Sequence, residues 1–370
     1  MHTEILWLFN SVMAKEKILV GMSGGVDSSV AAFLLKEAGY DVSAAYIKVW
    51  MNETDVFGRC PAQQDIDDGS AVAELLGIDY QVINLIEDYR SHVVDYLVEG
   101  YRKGVTPNPD MLCNREVKFG VFLRWAMERG FDGVGTGHYC RRIINEPDKA
   151  FIHEGLDRNK DQSYFLALLR QQQIQKARFP LGELTKPEVR ALAKKLGLPN
   201  ADKRDSQGIC FLGEVKINEF LGQFIEDNPG PIINHEDRIV GEHLGLHRYT
   251  IGQRKGIGVP SNTDNKAYVV VDKDYPTNSL HVAFDQPNAD GLWQESMDVV
   301  HIHYADETLE HTVEIQAKPR YRDPSQAVTF TPTGNDSATI RFHQPQRALA
   351  SGQVVAFYDG SRLIGGGFYA

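Results

Sequence analysis

The residues that could do chemistry begin with a glycine-rich stretch near the start of the chain. Residues 21–29 read GMSGGVDSS, follow the apolar residues 18–20 and precede a segment with helical periodicity. Glycines at one turn, followed by the N-terminus of a helix, expose several backbone N–H groups that attract phosphate. A Walker A loop would place a lysine after its last glycine, and none follows here. The stretch therefore predicts a phosphate site of another type, with a plain tight turn as the alternative.

Two cysteines stand in surroundings that favour a reactive thiolate. Cys113 ends the sequence TPNPDMLC, in which two prolines fix an extended loop and Asp110 lies three residues before the thiol. We predict that a helix starts near Asn114, so that its N-terminus lowers the pKa of the Cys113 thiol. Cys210 follows a glycine and two basic residues, which also favours thiolate. On its own segment, Cys113 has a buried and unreactive thiol as the alternative.

The elements around the glycine-rich stretch predict a parallel sheet with helices on both faces. Periodicities alternate in the order β-α-β-α-β, with helices over about 27–38 and 67–76 and strands over 42–48 and 80–85. Ligands of such sheets bind at the carboxyl ends of the strands. Ile47, at the end of the second predicted strand, is therefore expected to touch an adenine ring, and an ordinary core position is the alternative.

A later segment, VGTGHY at 134–139, is typical of another strand that enters a glycine turn. The backbone exposed at Gly135 and Gly137 is expected to accept the nucleoside part of a nucleotide, ATP in the interpretation given below, whose phosphates bind the glycine-rich turn. His138 either meets the substrate or is satisfied within the core, which is the usual position of a lone histidine.

Composition limits the class of protein. At 370 residues and 41.5 kDa the chain is expected to form two or three domains. A formal net charge of -11 argues against a nucleic-acid partner, but basic residues cluster at 141–142, 203–204, 254–255 and 318–322, and such clusters can hold RNA. The four cysteines are widely separated, which indicates a cytoplasmic protein without a zinc ribbon or disulfide framework. No apolar run approaches the length of a bilayer span, so no membrane partner is expected.

The chain changes character beyond about residue 214. A small mixed domain with paired strands over 268–272 and 280–283 is followed, from about residue 298, by short alternating runs that predict a closed or half-closed β-barrel. His243 and His247 lack the HExxH pattern, so a surface loop is favoured over a zinc site. The predicted divisions are an N-terminal extension (1–16), an α/β domain (17–214), a central mixed domain (215–290) and a C-terminal barrel (291–370).

Five motifs, taken in order, resemble those of a known family. GMSGGVDSS, TPNPDMLCN, GTGHY, GLDRNKDQSYFL and DSQGICFLGE are similar to the motifs of the bacterial tRNA-specific 2-thiouridylases, and the resemblance runs from about residue 17 to the C-terminus. It implies a PP-loop ATP pyrophosphatase-type α/β fold with a parallel sheet and helices on both faces, then a small central domain and a C-terminal β-barrel that binds tRNA. Gln207 and Ile47 depart from the family pattern, which usually has a small residue and a methionine there. Neither departure removes a reacting group.

The family resemblance implies ATP-dependent 2-thiolation of the wobble uridine in tRNA. The C2 oxygen is adenylated, sulfur arrives from a cysteine persulfide, and AMP and pyrophosphate are released. Cys210 would receive the persulfide, whose terminal sulfur either attacks C2 or is released as hydrosulfide when Cys113 attacks, and the two cysteines would finish as a disulfide. Asp110 would be the general acid or base. Cys60 and Cys140 are interpreted as structural.

The resemblance also implies partners and binding residues. ATP and Mg²⁺ are the implied cofactors, tRNA the implied substrate, and a sulfur-carrier protein or cysteine desulfurase the implied persulfide donor. The residues implied for ATP are Gly21, Met22, Ser23, Gly24, Gly25, Val26, Asp27, Ser28, Ile47 and Gly137. Those implied for the substrate base are Asn108, Pro109 and Asp110. Those implied for tRNA, each of which is otherwise an ordinary surface or core residue, are His138, Lys160, Asp161, Gln162, Arg320, Tyr321 and Gln353.

Two other functions keep part of this pattern. Another PP-loop synthetase, acting on a small acid or nucleotide, would keep the glycine-rich turn but has no use for two distant cysteines or a C-terminal barrel. A non-catalytic RNA-binding protein would account for the barrel but would have no use for the glycine-rich turn. A thiolase with an iron–sulfur cluster would need clustered cysteines, and the four here are dispersed.

Overall fold

Strands form most of the second half of the chain, and helices gather in the first half. The computed structural model describes residues 15–49, 61–146, 149–205, 216–260, 266–287 and 289–370. Within these residues the strands are β1 (Lys17–Gly21), β2 (Asp41–Lys48), β3 (Tyr80–Asn84), β4 (Gly133–Gly135), β5 (Cys140–Glu146), β6 (Lys149–Glu154), β7 (Ala177–Arg178), β8 (Gly230–Asn234), β9 (Ile239–His243), β10 (Tyr268–Asp274), β11 (Ser279–Phe284), β12 (Trp293–Tyr304), β13 (Val313–Lys318), β14 (Gln326–Gly334), β15 (Ser337–Arg347), β16 (Val354–Asp359) and β17 (Arg362–Tyr369).

The helices include two stretches with the wider turns of a π-helix. Within the described residues the α-helices are α1 (Val26–Glu37), α2 (Pro61–Leu76), α3 (Ile86–Tyr89), α4 (Asp95–Arg102), α5 (Pro109–Leu112), α6 (Phe122–Met127), α7 (Gln171–Lys176), α8 (Lys186–Lys195) and α9 (Ile217–Leu221). The π-helical stretches are Arg90–Val94 and Cys113–Val121, and short 3-10 turns cover Ser163–Leu166 and Leu246–Arg248. Among these helices none is both long and apolar enough to cross a bilayer.

A five-stranded parallel sheet organises the first domain. Its order is β3-β2-β1-β4-β7, and each of its pairings is parallel. Side chains of β1 alternate between the two faces: Ile18 and Val20 pack with α1, α2 and α8, whereas Leu19 packs with the helical segment 86–127. The predicted parallel sheet with helices on both faces is therefore confirmed, and β1 lies at its centre.

Two helices begin earlier than the sequence pattern predicts. The predicted helix over 67–76 begins at Pro61, because its first turns are polar and are joined by side-chain hydrogen bonds at i, i+4, with Gln63 bonded to Asp67 and Gln64 to Asp68. Such turns carry no apolar periodicity. The helix predicted to start near Asn114 begins at Pro109, whose fixed backbone angle suits the first position of a helix.

A four-stranded mixed sheet forms the small central domain. Its order is β10-β11-β8-β9, and the predicted pair β10 and β11 is antiparallel. Ile232, Val270 and Leu280 form its buried core with Leu246 and Tyr249 from the segment after β9. The sheet is too small to bury a large core, so it depends on the neighbouring domains.

The C-terminal domain is a closed barrel. Six strands pair in the order β12-β15-β14-β13-β16-β17, and pairing of β12 with β17 closes the ring. Phe330, Phe342 and Phe357 fill the interior with aliphatic side chains from the same strands. The predicted barrel is therefore confirmed in its closed form.

The barrel is joined to the first domain by a hairpin that the sequence analysis did not predict. Strands β5 and β6 pair with each other, and β6 pairs with β17 of the barrel through His153 and Arg362. The hairpin belongs to the first domain by sequence but extends the sheet of the barrel. The two domains therefore share backbone pairing as well as side-chain contacts.

One glutamine side chain supports the π-helical stretch that follows Cys113. The Nε2 atom of Gln173, in α7, donates to the carbonyl oxygens of Arg115 at 2.8 Å and Phe119 at 2.9 Å. Wider π-type turns displace backbone carbonyls from the regular pattern, so an external donor satisfies both. Gln173 thereby connects α7 to the segment that carries Cys113.

We predict that Gln173→Ala destabilises the protein by about 1–3 kcal/mol, because two carbonyl groups lose their donor. Urea unfolding followed by circular dichroism measures this free energy. The matched control is Gln172→Ala, since Gln172 is exposed on the same helix, and its effect should stay within about 0.5 kcal/mol. Equal effects of the two substitutions would contradict the role given to Gln173.

Candidate active site

The glycine-rich turn lies at the carboxyl end of the central strand β1. Gly24 has a φ of +72°, which favours glycine, and a Cβ at this position would lie 2.3 Å from the carbonyl oxygen of Asp65 in α2. Gly25 is the N-cap of α1 and has no side chain that could accept from the first N–H groups of that helix. Those groups have no partner within the helix and point out of its N-terminus, where an anion binds favourably.

Side-chain hydroxyls hold the turn in shape. Ser28 Oγ accepts from the backbone N–H of Ser23 at 3.2 Å and donates to the carbonyl of Gly25 at 3.0 Å. Ser29 Oγ donates to the same carbonyl at 2.9 Å. Asn200 Nδ2 donates to the carbonyl of Gly24 and to Ser29 Oγ, both at 2.9 Å. The carbonyls of the turn are thus satisfied from the protein side.

Asp27, in the first turn of α1, is paired with a buried lysine. Its Oδ1 accepts from Lys186 Nζ at 2.6 Å and from the hydroxyl of Tyr139 at 2.7 Å. Burial, and then the Asp27 carboxylate, raises the pKa of Tyr139 above its ordinary value, so the hydroxyl remains a donor. This pair neutralises an acidic side chain at a position where it would otherwise repel a phosphate.

Asp205 joins three cations beside this pair. Its carboxylate contacts Lys160, Lys186 and Arg190, each at 2.7 Å. Burial alone would raise the pKa of Asp205, but hydrogen bonds from Lys160 and Lys186 outweigh it and lower the pKa to about 2. Asp205 is therefore ionised throughout the neutral range. The sequence analysis missed Lys186, Tyr139 and Asp205, because Lys186 and Tyr139 lie 159 and 112 residues from Asp27 along the chain and no local pattern connects them.

The second glycine turn contacts the first. A Cβ at Gly137 would lie 2.8 Å from the backbone carbon of Asp27, so only glycine permits this approach. His138 is buried, and its Nδ1 is 2.8 Å from the hydroxyl of Thr136. Burial, and then Lys118, lowers the pKa of His138 well below its ordinary value, so the ring is neutral. Ile47 is half-buried at the end of β2, and its side chain faces Gly21.

The loop before Cys113 leads directly into a helix. Asn108 is the N-cap of α5, and its side chain accepts from the backbone N–H of Met111 at 3.4 Å. Cys113 is buried one turn inside the helix, and its own N–H donates to carbonyls of Pro109 and Asp110. The prediction that Cys113 lies just before a helix N-terminus is therefore wrong. Asp110, in the first turn, occupies the place that benefits from the helix dipole.

Contacts from all three domains fix this loop. Lys273 of the central domain donates to the carbonyl of Gly104 at 2.7 Å. From the barrel side, the carbonyl of Ser351 accepts from the N–H of Thr106 at 2.8 Å, and Gln353 Nε2 donates to the carbonyl of Thr106 at 2.8 Å. Downstream, the ring of Phe122 packs beside Gly21. Contacts from the central domain and the barrel therefore hold the loop that leads to Asn108, Asp110 and Cys113, and the helical segment that follows reaches the end of β1 through Phe122.

The other cysteines differ in position. Cys140 is buried, and burial raises the pKa of its thiol well above the ordinary value, which makes it unreactive. Cys60 and Cys210 lie outside the described residues. The described chain contains no group of three or more His, Cys, Asp or Glu side chains that could hold a metal ion. The predicted surface loop at His243 and His247 is wrong, because both side chains are buried, and His243 ends β9 with its Nε2 3.0 Å from the carbonyl of Asn278.

The residues predicted for tRNA fall into two sets. Lys160 is half-buried against Asp205, Asp161 is buried, and Gln162 Oε1 accepts from the backbone N–H of Tyr139 at 3.1 Å. In the barrel, Arg320 bonds to Asp323 at 2.8 Å, and the ring of Tyr321 lies 4.3 Å from that of Phe165. Arg320 and Tyr321 are partly exposed.

Each basic cluster has cations that are held within the protein. Arg142 donates to the carbonyls of Ile174 and Gln175. Pairing also holds Lys203 to Asp65, Arg254 to Asp285, and Lys318 to Asp161 and Glu154. The positive charge that remains for a polyanion is therefore smaller than the sequence clusters suggest.

Comparisons with known proteins cover almost the whole chain. Family models match residues 16–214 as a tRNA methyl transferase HUP domain, 218–284 as a tRNA methyl transferase PRC-barrel domain, and 294–368 as an aminomethyltransferase beta-barrel domain. A tRNA-specific 2-thiouridylase MnmA of Akkermansia muciniphila is 52% identical over 353 residues, which covers 95% of this chain and 98% of that protein. One of Streptococcus sanguinis is 47% identical over 357 residues, covering 96% of this chain and 95% of that protein.

Solved structures resemble the chain only distantly. A 4-thiouridine synthetase in complex with RNA and ATP has a TM-score of 0.35 and 17% identity, and the match covers 56% of this chain and 50% of that one. That similarity is too weak to bear on function.

Proposed function

This chain belongs to the family of tRNA-specific 2-thiouridylases, which are tRNA sulfurtransferases, and we propose that it uses ATP to replace the C2 oxygen of the wobble uridine with sulfur. The observation that carries the proposal is that one helical segment connects the two candidate sites. Residues 109–127 carry Asp110 and Cys113 at the start of this segment, and its Phe122 packs beside Gly21 at the glycine-rich turn. Nucleotide and base can therefore meet at the carboxyl end of β1.

The ATP phosphates fit the N-terminus of α1. The turn offers backbone N–H groups and no side chain at Gly25, and the pair of Asp27 with Lys186 removes the local negative charge. Gly137 leaves room for a close backbone approach, and Ile47 borders the end of β2, where an adenine ring would lie. Mg²⁺ would bind mainly through phosphate oxygens, since Asp27 is already paired with Lys186, and it would neutralise the departing pyrophosphate.

Adenylation makes the C2 oxygen a leaving group. The oxygen attacks the α-phosphorus of ATP, pyrophosphate leaves, and the base carries an O-AMP ester. The N–H groups at the helix terminus stabilise the charge that develops on the phosphates. Asp110 lies in the first turn of its helix, close to the base that Asn108 and Pro109 would border. It is the candidate for proton transfer.

Sulfur then arrives on Cys210 as a persulfide. Its terminal sulfur attacks C2 and AMP departs, after which the Cys113 thiolate attacks the inner sulfur and releases the 2-thio group. Alternatively, Cys113 attacks first and hydrosulfide is released to attack C2. In both routes the terminal sulfur is reduced as the two cysteines are oxidised to a disulfide, which a thiol reductant must open. A reducing cytoplasm suits this cycle.

Specificity for tRNA would come from the barrel and its seam with the first domain. Arg320 and Tyr321 offer a cation for phosphate and a ring for stacking, and both are partly exposed. His138, Lys160, Gln162 and Gln353 lie closer to the turn and the Asn108 loop. The persulfide would come from a sulfur-carrier protein or a cysteine desulfurase.

The family models carry names that mention methyl transfer, which is a different reaction. Two relatives that match almost end to end are both named as thiouridylases. A phosphate-binding turn in the same domain as a cysteine-bearing helical segment also suits activation by ATP better than methyl transfer. We therefore favour thiolation.

Release of pyrophosphate tests the proposal against its rivals. With ATP and Mg²⁺ we expect release only when tRNA with a wobble uridine is added, because the base oxygen is the attacking group. Release without RNA would indicate a small-molecule synthetase. No release under any condition would indicate a binding protein. A tRNA with cytidine at the wobble position is the matched control and should give the background rate.

The two cysteine roles predict a separation of steps. Cys113→Ser and Cys210→Ser should each abolish 2-thiouridine formation while leaving tRNA-dependent pyrophosphate release, since adenylation needs neither sulfur. The assay uses a persulfidated donor protein, because free hydrosulfide would bypass Cys210. Cys140→Ala, which changes a buried and unreactive thiol, should retain both steps. Thiolation at the wild-type rate by either serine variant would refute the assignment.

A further inference from the structure

A buried lysine joins the barrel to the first domain. Lys318, at the end of β13, contacts Asp161 Oδ2 and Glu154 Oε1, each at 2.7 Å, and its ammonium lies 4.9 Å from the centre of the Tyr358 ring. Burial disfavours the charged ammonium, but the two carboxylates outweigh it and raise the pKa of Lys318 above its ordinary value. The side chain is therefore a buried cation at the interface between the barrel and the first domain.

The Asp161 carboxylate is fully used within the protein. Oδ1 accepts from the backbone N–H groups of Gly155 at 3.0 Å and Ser163 at 3.1 Å. Oδ2 accepts from the hydroxyl of Ser163 at 2.9 Å and from Lys318. The side chain is 5% exposed, and a carboxylate would repel phosphate. Asp161 is therefore unsuited to touch RNA, although its neighbours Lys160 and Gln162 are predicted to do so.

The side chains on either side of Asp161 point toward the nucleotide site. Lys160 bonds to Asp205, which also holds Lys186. Gln162 accepts from the N–H of Tyr139, whose hydroxyl bonds to Asp27 in the glycine-rich turn. Three consecutive residues thus connect the nucleotide site on one side with the barrel on the other.

The barrel segment after Lys318 is held against the same part of the first domain. Within the barrel itself, the carbonyl of Pro319 accepts from the hydroxyl of Tyr369 in β17 at 3.2 Å. Tyr321 packs on Phe165, which lies in the same short helical turn as Ser163. Lys318 is therefore the anchor at one end of residues 319–322, directly opposite residues 160–166.

We propose that Lys318 and Asp161 are positioning residues, whose buried pair holds residues 319–322 of the barrel against residues 160–166 so that the two predicted tRNA-contacting segments form one surface aligned with the nucleotide site. The inference rests on the proposed function. A buried ion pair seldom stabilises more than apolar side chains of the same size would. Its directed geometry, however, fixes one relative orientation of the two domains.

Direct contact and positioning predict opposite signs for the acidic partner. If this region met phosphate directly, Asp161→Asn would remove a repulsive charge and strengthen tRNA binding. If the pair positions the two segments, Asp161→Asn weakens tRNA binding, because Lys318 keeps only Glu154 as an ionic partner and the contact between the two domains loosens. The two accounts also differ in salt dependence, since each direct phosphate contact adds roughly 0.7–0.9 to the slope of log affinity against log salt.

The experiment measures tRNA dissociation constants of the full-length protein at several salt concentrations. We expect Lys318→Met and Asp161→Asn each to weaken binding by roughly two- to thirtyfold, the range for residues that act without touching the ligand, with the wild-type salt slope. The double variant should bind tRNA no more weakly than the single variant with the larger loss of affinity, because both changes break the same pair. ATP binding, measured by calorimetry without RNA, should stay near the wild-type value.

Two further variants control for charge and folding. Asp359→Asn removes a carboxylate that is 68% exposed on a barrel hairpin and should not weaken tRNA binding. Ser163→Ala removes no charge, only the hydroxyl that bonds to Asp161 at 2.9 Å and to Tyr358 of the barrel at 3.0 Å. It therefore tests the contact between the two domains even if the charge variants do not fold, and it should weaken binding in the same direction by a smaller factor.

The outcomes separate the inference from the proposed function. Unchanged or tighter tRNA binding by Asp161→Asn would overturn the positioning role while leaving the proposed thiolation intact. The same holds if Lys318→Met lowers the slope of log affinity against log salt by roughly 0.7–0.9, the value for one lost phosphate contact. If the variants unfold, unchanged binding by Ser163→Ala would overturn it. Failure of the wild-type protein to bind tRNA would count against the proposed function itself.

Discussion

The left-handed glycine turn at the end of β1 is the constraint from which the rest of the site follows. Gly24 can adopt its backbone conformation only because it lacks a Cβ, and α2 packs so closely that no side chain fits. The first N–H groups of α1 therefore face the carboxyl edge of the sheet. From this turn, hydrogen bonds run through Asp27 and Tyr139 to Gln162, whose neighbour Asp161 bonds to Lys318 of the barrel. The phosphate site and the barrel are thus parts of one network.

The second requirement is that a base and a thiol reach the same edge. The loop from Gly104 to Asn108 is fixed by the central domain through Lys273 and by the barrel through Ser351 and Gln353. A change in either domain would therefore alter the position of Cys113 without any contact to the substrate. This dependence gives the small central domain a role in the proposed chemistry, since its Lys273 holds the loop that leads to Cys113.

The sequence was sufficient for features set by local pattern. Apolar runs, glycines and regular strand spacing predict the parallel sheet, the turn at residues 21–29 and the barrel. The predicted helix starts were wrong where capping or polar first turns determine where a helix begins, as at Pro61 and Pro109. The pairing of charged side chains was the property that the sequence predicted least well. A sequence shows that Lys318 and Asp161 are charged but not that they neutralise each other inside the protein. The partnership of Lys186 with Asp27 was hidden for the same reason, since 159 residues separate them.

Nucleoside analysis of tRNA treated with the protein tests the central claim most directly. An unmodified tRNA transcript with a wobble uridine is incubated with the protein, ATP, Mg²⁺ and a persulfidated donor, then digested and examined by mass spectrometry. The account predicts 2-thiouridine at the wobble position, formed only when ATP is present. A tRNA that gains no sulfur, or that gains a methyl group or sulfur at another atom of the base, would contradict it.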